Sequence, residues 1–367
     1  PVTVYFVARF NQNMTAFGGW EKEGKEKKLV HKNSIEGADI GGYASFGKLK
    51  KQTLLMKVGI SYVSEEQARI NLEKELAHWN FDRVKEDAFA EWNRELGKIT
   101  VEGGSEEEKI KFYTDLWHSL LGRHTFSDFN GKYIDNTGEE PVVRQVPLDN
   151  GTPTRNTYNS DAFWGSEFNL NILWSIAYPK VMSEFVSTLV DYYTNGGMIA
   201  RGPSGGNYTY VMVGDQATPL IAAAYNKGIR DFDIESAYQG CLKNSEPGGI
   251  RDYVGYKTNP GNFMQQYVDK GFVPEPTTKS PHAEGCAMTL YFAYEDWCMA
   301  QFAKGLEKED VYRKYLQRSF NYRYVYDKQS GWMRPRTTDG SWMRNFSPIG
   351  KGFNMPGFVE SIAAIFT

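Results

Sequence analysis

Several carboxylates in the sequence lie in turns that are rich in aromatic residues and glycine. Asp161 belongs to the run Tyr158-Asn-Ser-Asp-Ala-Phe-Trp-Gly-Ser-Glu167, in which Phe163 and Trp164 follow it closely. A carboxylate in this setting can accept hydrogen bonds from sugar hydroxyls while an aromatic ring packs against the apolar face of the sugar. Asp161 also stands just before a predicted helix, and capping of that helix explains the residue equally well.

Three further polar residues, Asp215, Arg334 and Arg336, are candidates for ligand contacts. Asp215 follows Gly214 at a predicted helix start, where it can contact a ligand or cap the helix. The two arginines flank Pro335 in a turn-rich loop. Their guanidinium groups suit carboxylates and polyhydroxyl compounds, and they equally suit salt bridges that brace the loop. The sequence does not decide between a ligand contact and a helix cap for Asp215. It also does not decide between ligand binding and loop-bracing salt bridges for the two arginines.

Glu360 is the candidate proton donor. It lies in the first turn of a predicted helix, with Phe358, Val359, Ile362 and Ala363 as neighbours. Burial among such residues raises the pKa of a carboxyl group and keeps it protonated, as a general acid requires. The alternative is an exposed glutamate that interacts favourably with the helix dipole.

A second pair of acids, Glu295 and Asp296, lies inside a predicted apolar helix that also carries Tyr291 and Tyr294. Carboxylates in such a helix either find partners in the core or face an open rim. The sequence does not separate these two possibilities.

Composition excludes several classes of function. The 42 Lys and Arg residues nearly balance 45 Asp and Glu residues, and no dense basic run indicates a nucleic acid partner. No apolar stretch is long enough to span a bilayer, and the nucleotide-binding, serine-hydrolase and zinc-protease motifs are absent.

Cys241, Cys286 and Cys298 cannot all pair, and their spacing is not that of a zinc site. The aromatic content of 15% fits either a large aromatic core or sugar binding.

The pattern of apolar residues divides the chain into three parts. Residues 1–63 alternate with the period of antiparallel strands, and residues 64–104 change to helical periodicity after a capping sequence, Ser64-Glu-Glu-Gln67. Beyond Ser105, a second predicted cap, helices alternate with long loops, which indicates a toroid of paired helices. The predicted helices are 166–178, 180–194, 215–227, 231–243, 284–304 and 308–320. The predicted loops are 122–160, 195–214, 245–283 and 327–355.

Seven segments, in order along the chain, resemble glycoside hydrolase family 92, the calcium-dependent exo-acting α-mannosidases. They begin at a strand and the linker that follows it, and they end at the predicted proton donor. The segments are Val58–Ser64 with parts of 68–82, Phe112–His118, Asp128–Tyr133, Tyr158–Phe163, Val213–Asp215 with 222–228, Thr289–Trp297, and Gly331–Arg336 followed by Phe358–Glu360.

The resemblance implies an α+β multidomain fold, in which a partial β-sandwich is followed by linker helices and an incomplete (α/α)6 barrel. The corresponding domains are the C-terminal part of the sandwich at 1–63, the linker at 64–104 and the catalytic barrel at 105–367. The resemblance further implies that the chain is an internal fragment lacking both ends, with the catalytic base beyond residue 367.

The implied activity is removal of terminal α-linked mannose, with α-1,2 linkages expected, from N-glycans or mannan. Inversion requires one carboxylic acid to protonate the leaving oxygen and a second carboxylate to activate water on the opposite face. By its position in the motif, Glu360 is the general acid, and Asp161 accepts hydrogen bonds from the sugar. The resemblance also implies Ca²⁺ bound to mannose hydroxyls, with ligands that cannot be assigned, and a secreted or periplasmic bacterial protein.

The sequence departs from the family pattern near these residues. Ser160, Ala162 and Trp164 stand where the family usually has Trp, Thr and Arg, and Tyr291 stands where Glu is usual. Two alternatives therefore remain: another carbohydrate-active enzyme with an (α/α) barrel, and a catalytically inactive relative that binds glycans.

Overall fold

The computed structural model describes residues 2–24, 26–30, 32, 34–48, 53–160, 163, 165–255, 261–275, 285–344 and 346–347. The chain falls into two compact units, Pro1–Glu91 and Trp92–Thr367. The division lies within the segment 64–104 that the sequence predicts as a linker.

The first unit is built from antiparallel strands, as the alternating pattern predicts. The strands are β1 (Tyr5–Phe10), β2 (Ala16–Glu23), β3 (Glu26–Val30), β4 (Ile40–Ser45) and β5 (Met56–Ser61). Strands β1 and β5 pair in register from Tyr5↔Ser61 to Phe10↔Met56, and β2 lies between β3 and β4 in a separate sheet.

Helix α1 (Glu65–Glu75) packs on strand β5. Gly59 allows this contact, because a Cβ at that position would collide with the backbone of Ala68. Only one of the two hydrogen bonds of the capping box predicted at Ser64 and Gln67 is present. The Gln67 amide donates to Ser64 Oγ at 3.1 Å, but Gln67 Oε1 is buried without a hydrogen bond, so the side chain does not complete the reciprocal pair.

The second unit is mainly helical. The helices after α1 are α2 (Phe81–Leu96), α3 (Glu106–Leu121), α4 (Leu170–Ala177), α5 (Pro179–Gly196), α6 (Ala217–Asn226), α7 (Ile234–Asn244), α8 (Phe263–Lys270), α9 (Gly285–Gly305) and α10 (Glu309–Ser319). The cap predicted at Ser105 is present at the start of α3, and it is a complete capping box in which the Glu108 amide and side chain both take part.

Helix α9 lies at the centre of this unit and is buried along most of its length, in contact with α6, α7 and α10. The core between these helices and α5 contains Phe185, Leu220 and Phe302, each fully buried. Strands followed by packed helices confirm the predicted α+β fold class.

The long predicted loops contain small elements of their own. The predicted loop 245–283 contains α8, and the predicted helix 166–178 begins as a short 3₁₀ turn, Ser166–Phe168, before α4. The remaining strands are β6 (His124–Thr125), β7 (Lys132–Asp135), β8 (Val142–Gln145), β9 (Leu148–Asp149), β10 (Thr152–Pro153), β11 (Tyr158–Asn159), β12 (Pro203–Ser204), β13 (Asn207–Tyr208), β14 (Tyr326–Asp327) and β15 (Trp332–Met333).

All three cysteines are buried free thiols. Within the described part of the chain, no helix combines the length and the apolar character that crossing a bilayer requires.

Candidate functional site

The backbone that leads to Asp161 is held on several sides. Strand β11 pairs with β6, and the Tyr158 hydroxyl donates to Glu184 Oε2 at 2.7 Å. The Ser160 amide donates to the carbonyl of Pro203 at 2.9 Å, and Ser160 itself is buried. The position of residue 160 is therefore determined by both neighbouring strands and by helix α5.

The β12–β13 hairpin is fastened to the same place. Its Gly205 amide donates to Asn159 Oδ1 at 2.9 Å, and its Gly205 carbonyl accepts from Asn136 Nδ2 at 2.6 Å. Gly206 has a φ of 78°, and a side chain there would collide with the carbonyl of Ile134. Only glycine fits this turn, so the hairpin and β11 form one connected rim.

Three of the predicted site residues, Asp161, Trp164 and Glu360, lie outside the described residues. Phe163 is described, and its ring is 3% exposed and packs edge to face on Phe185 at 5.4 Å. In this conformation the ring belongs to the core, so contact of Phe163 with a sugar stays a prediction that requires the ring to become accessible.

Asp215 is completely buried. Its Oδ2 accepts from the Thr218 hydroxyl at 2.6 Å, and its Oδ1 accepts from the Thr218 amide at 3.4 Å. These are the contacts of a residue that caps the first turn of α6. A sugar contact for Asp215 stays a prediction.

Arg334 and Arg336 form hydrogen bonds within the loop that carries them. Arg334 donates to Asp327 Oδ2 at 3.1 Å and to the carbonyl of Met343 at 2.8 Å. Arg336 donates to the carbonyl of Gly340 at 2.6 Å, and its guanidinium lies 3.7 Å from the centre of the Trp342 ring. These contacts are those of bracing side chains, and a role for both arginines in ligand binding stays a prediction.

The helical unit contains a cluster of six buried charged side chains, here called the ionic cluster. Three are arginines and three carry carboxyl groups, and each is at most 9% exposed. The members are Arg201, Asp215, Arg251, Glu295, Asp296 and Arg318. Opposite charges that lie close together reduce the electrostatic cost of burying each other.

Asp296 is the centre of one half of the ionic cluster. It accepts from Arg251 Nη1 at 2.7 Å, from Arg318 Nε at 2.6 Å and Nη2 at 2.7 Å, and from the Tyr267 hydroxyl at 3.1 Å. The carboxylate is thus satisfied on both oxygens. Asp296 therefore has its partners in the core.

Glu295, the residue before Asp296, bonds to the turn before α6. Its Oε1 accepts from the Asp215 amide, and its Oε2 lies 3.0 Å from Arg251 Nε. Burial raises the pKa of Glu295 to about 8, and the positive charge of Arg251 opposes that rise. Gly214 has a φ of 78°, and a side chain there would collide with Glu295.

Arg201 is the member of the ionic cluster that bonds to backbone carbonyls of two loops. Its guanidinium donates to the carbonyls of Gly214 at 2.7 Å, Ile250 at 2.7 Å and Tyr253 at 2.8 Å, and also to that of Met212. One buried side chain therefore holds the loop after β13 and the loop before residue 255 together.

Glu167 is a half-buried carboxyl group close to the predicted sugar-binding segment. Its Oε2 has no hydrogen-bond partner in the structure as described, and burial raises its pKa to about 7. The charge of Glu167 also acts on Tyr294 and Cys298 of helix α9. A carboxyl group that titrates near neutrality can donate or accept a proton under physiological conditions.

No three His, Cys, Asp or Glu side chains among the described residues come together in a way that could hold a metal ion. Within the ionic cluster, Asp296 is paired with Arg251 and Arg318. Calcium binding stays a prediction.

Sequence reasoning missed the roles of Arg201 and Glu167. Arg201 lies in a glycine-rich loop and bonds to four carbonyls that are distant in sequence. No local sequence pattern predicts such contacts. Glu167 lies within the aromatic run around Asp161, and that position is the one signal that could have indicated it.

The comparisons with known proteins identify the class. The model of the glycosyl hydrolase family 92 catalytic domain matches residues 67–367, and the model of the family's N-terminal domain matches residues 1–61. The catalytic-domain match covers well over half of the chain. The chain belongs to glycosyl hydrolase family 92, which confirms the resemblance seen in its sequence.

Individual relatives agree with this assignment. An inverting mannosidase of the family from Bacteroides thetaiotaomicron has a TM-score of 0.83 and 25% identity, over 96% of this chain and 45% of that one. An α-mannosidase from the same organism, solved with mannoimidazole, has a TM-score of 0.77 and 26% identity, over 94% of this chain and 43% of that one. An uncharacterized secreted glycosidase of Arthroderma benhamiae is 25% identical over 84% of this chain and 35% of the relative. The chain spans less than half the length of these relatives.

Proposed function

We propose that the protein is a glycoside hydrolase that removes terminal α-linked mannose from glycans by inversion. The observation that carries the proposal is the match to the family's catalytic domain along residues 67–367. Two further observations support it: a structural relative named as an inverting mannosidase, and an α-mannosidase solved with mannoimidazole. The preference for α-1,2 linkages and the N-glycan or mannan substrate belong to the same proposal.

The rim formed by β11 and the β12–β13 hairpin supports a sugar-binding role for the next residue, Asp161. The Ser160 amide donates to the Pro203 carbonyl, and Gly205 bonds to the side chains of Asn159 and Asn136, so the backbone at this point is held in place. A rigid support of this kind lets a carboxylate accept hydrogen bonds from sugar hydroxyls with little loss of conformational entropy.

Glu360 is the proposed general acid. In an inverting reaction it gives its proton to the leaving oxygen, and a second carboxylate removes a proton from the attacking water. No described residue is assigned as that second carboxylate. Calcium belongs to the proposal through the family resemblance, and no step is assigned to it.

Secretion is proposed from the name of the fungal relative. A bacterial or periplasmic origin stays a prediction.

The test uses Glu360→Gln in the full-length protein. Glutamine keeps the shape of the side chain but cannot supply the proton, so turnover of α-1,2-mannobiose should fall by about 10²–10⁴-fold. Hydrolysis of 4-nitrophenyl α-mannoside should fall much less, because its leaving group needs little protonation. Release of β-mannose, measured by proton NMR, checks inversion.

Glu140→Gln, a change at an exposed position, is the matched control and should leave both rates unchanged. Equal and small losses on the two substrates would remove Glu360 from the role of general acid. Binding of mannobiose without turnover by the unmodified protein would instead identify an inactive glycan-binding relative.

A further inference from the structure

A small polar cavity lies in the helical unit, between helix α5, strand β7 and the residues that lead into β11. The space that is open to the centre of a water molecule in this cavity is about 10 Å³. A single buried water needs roughly 10–15 Å³ of such space. The polar side chains of the lining include Tyr133, Asp135, Thr157, Thr188, Asp191 and Asn195. The cavity therefore has the size and the polarity for one water molecule or one small ion.

Thr157 contributes a buried hydroxyl group to this lining. Thr157 is 2% exposed, and its Oγ1 has no hydrogen-bond partner in the part of the chain that the structure describes. Its backbone is held, because its amide donates to Ser127 Oγ at 3.1 Å and its carbonyl accepts from the Phe126 amide at 2.8 Å. A buried hydroxyl without a partner costs free energy, so a partner for it inside the cavity would stabilise the fold.

The Tyr133 hydroxyl lines the same cavity and has a proton to donate. It accepts from Asn195 Nδ2 at 3.5 Å, and its own proton has no acceptor among the described residues. Burial and the negative charge of Asp191 raise the pKa of Tyr133 to about 12, so the hydroxyl keeps this proton at neutral pH. The hydroxyls of Thr157 and Tyr133 therefore line one cavity with hydrogen-bonding capacity that the described residues do not use.

The two carboxylates of the lining each pair with an arginine. Asp135 Oδ2 lies 3.1 Å from Arg144 Nε, and both oxygens of Asp191 accept from Arg155 Nη2, at 2.8 and 2.7 Å. Because these two negative charges are matched by two positive charges, the lining has little net charge to attract a metal ion. A neutral molecule that both donates and accepts hydrogen bonds suits this lining better than a cation.

We propose that one buried water molecule occupies this cavity and bridges Thr157 Oγ1 to the Tyr133 hydroxyl. The water accepts from Tyr133, donates to Thr157 and has a second proton for the carboxylate of Asp191. It thereby has the three partners that are typical of buried water. Since Thr157 directly precedes β11, the water connects the rim to strand β7 and helix α5. The inference concerns the stability of the folded chain and is independent of the proposed function.

Thr157→Val in the full-length protein tests the proposal by the sign of its effect on stability. Valine has nearly the shape of threonine but lacks the hydroxyl. If the hydroxyl bonds to water, its loss should raise the equilibrium constant for unfolding, measured in urea, about fivefold. If the cavity is dry, the change removes an unsatisfied polar group, so the constant should fall or stay the same, and the proposed water is overturned. Thr125→Val, at an exposed site on β6, is the matched control and should change the constant less than about twofold.

Tyr133→Phe tests whether the two hydroxyls share one ligand. This variant should also raise the equilibrium constant for unfolding. The double variant should raise it by less than the product of the two single effects, because both changes weaken the binding of the same water. A double variant whose effect equals that product would overturn the bridge.

A high-resolution crystal structure of the unmodified full-length protein gives the direct test, which remains decisive if Thr157→Val does not fold. The proposal predicts a density peak at about 2.5–3.0 Å from both Thr157 Oγ1 and the Tyr133 hydroxyl. An empty cavity would overturn the proposal. A peak surrounded by several oxygens at about 2.3–2.5 Å would overturn it as well, because such distances indicate a metal ion.

Discussion

The ionic cluster and the arginine loop, defined here as residues 327–343, use the same kind of side chain in opposite ways. In the ionic cluster, Arg251 and Arg318 are at most 9% exposed and share the carboxylate of Asp296. In the arginine loop, Arg334 and Arg336 are partly exposed and donate mainly to backbone carbonyls. Arg251 and Arg318 are matched with the charge of Asp296, whereas the loop arginines mainly bond to backbone carbonyls, as the buried Arg201 also does.

This difference shows why arginine in a turn-rich loop is weak evidence for ligand binding. A guanidinium has five donors in a fixed geometry, and nearby carbonyls can occupy all of them. In the interior the same donors must be satisfied, because an unpaired buried charge is costly. Loss of one partner should therefore cost far more in the ionic cluster than in the arginine loop.

The largest effect is expected for Asp296→Asn. The change leaves Arg251 and Arg318 buried without their shared anion, so the free energy of unfolding should fall by about 3–5 kcal/mol. Urea unfolding of the variant and of the unmodified protein measures the difference. Asp269→Asn, at an exposed site on α8, should change it by less than about 0.5 kcal/mol. A loss below about 1 kcal/mol for Asp296→Asn would show that the interior tolerates the unpaired charges.

An intermediate effect is expected for Glu167→Gln, and it should depend on pH. The pKa of Glu167 is raised to about 7 in the folded protein, above the ordinary value of 4.5. Between these values the folded state keeps a proton that the unfolded chain has released, so stability contributed by this group falls as pH rises from about 5 to 7. Glutamine cannot ionise, so the variant should be more stable above pH 7 by up to about 3 kcal/mol.

The measurement for Glu167 is the free energy of unfolding at pH 5, 6, 7 and 8. Glu140→Gln, which changes an exposed glutamate, should keep the pH dependence of the unmodified protein. Parallel pH curves for Glu167→Gln and the unmodified protein would refute the raised pKa of Glu167.

The smallest effect is expected for Arg334→Lys. Lysine keeps the charge but cannot bond Asp327 and the Met343 carbonyl at once, so the melting temperature should fall by no more than about 3 °C. Kinetics on mannobiose should be unchanged if the loop is only braced. An increase in KM without a loss of thermal stability would instead support the predicted ligand contact of Arg334. Arg323→Lys, at an exposed site, is the control.

Local patterns predicted much of the fold. The alternation in residues 1–63 and the capping box at Ser105 depend on neighbours a few residues apart, and both are present in the structure. Helix α8 was missed because its flanks, rich in glycine and asparagine, resemble a loop. The family was predicted because its motifs keep their order along the chain.

The candidate site was predicted less completely. The sequence indicated Asp161, Trp164 and Glu360, which are outside the described residues, so their roles stay predictions. It could not tell whether Asp215 caps a helix or contacts a ligand, since both roles favour the same residue type. The contacts of Asp215 with Thr218 are those of a cap.

The sequence by itself determined the class of this protein, the change from strands to helices, and the caps at which several helices begin. These features follow from short-range spacing and from motif order. Only the tertiary structure decided that Asp296 neutralises two buried arginines and that Tyr210 stacks on Tyr253. Arg251 and Asp296 are 45 residues apart along the chain. Contacts over such distances depend on how helices and loops pack, and no local pattern specifies them.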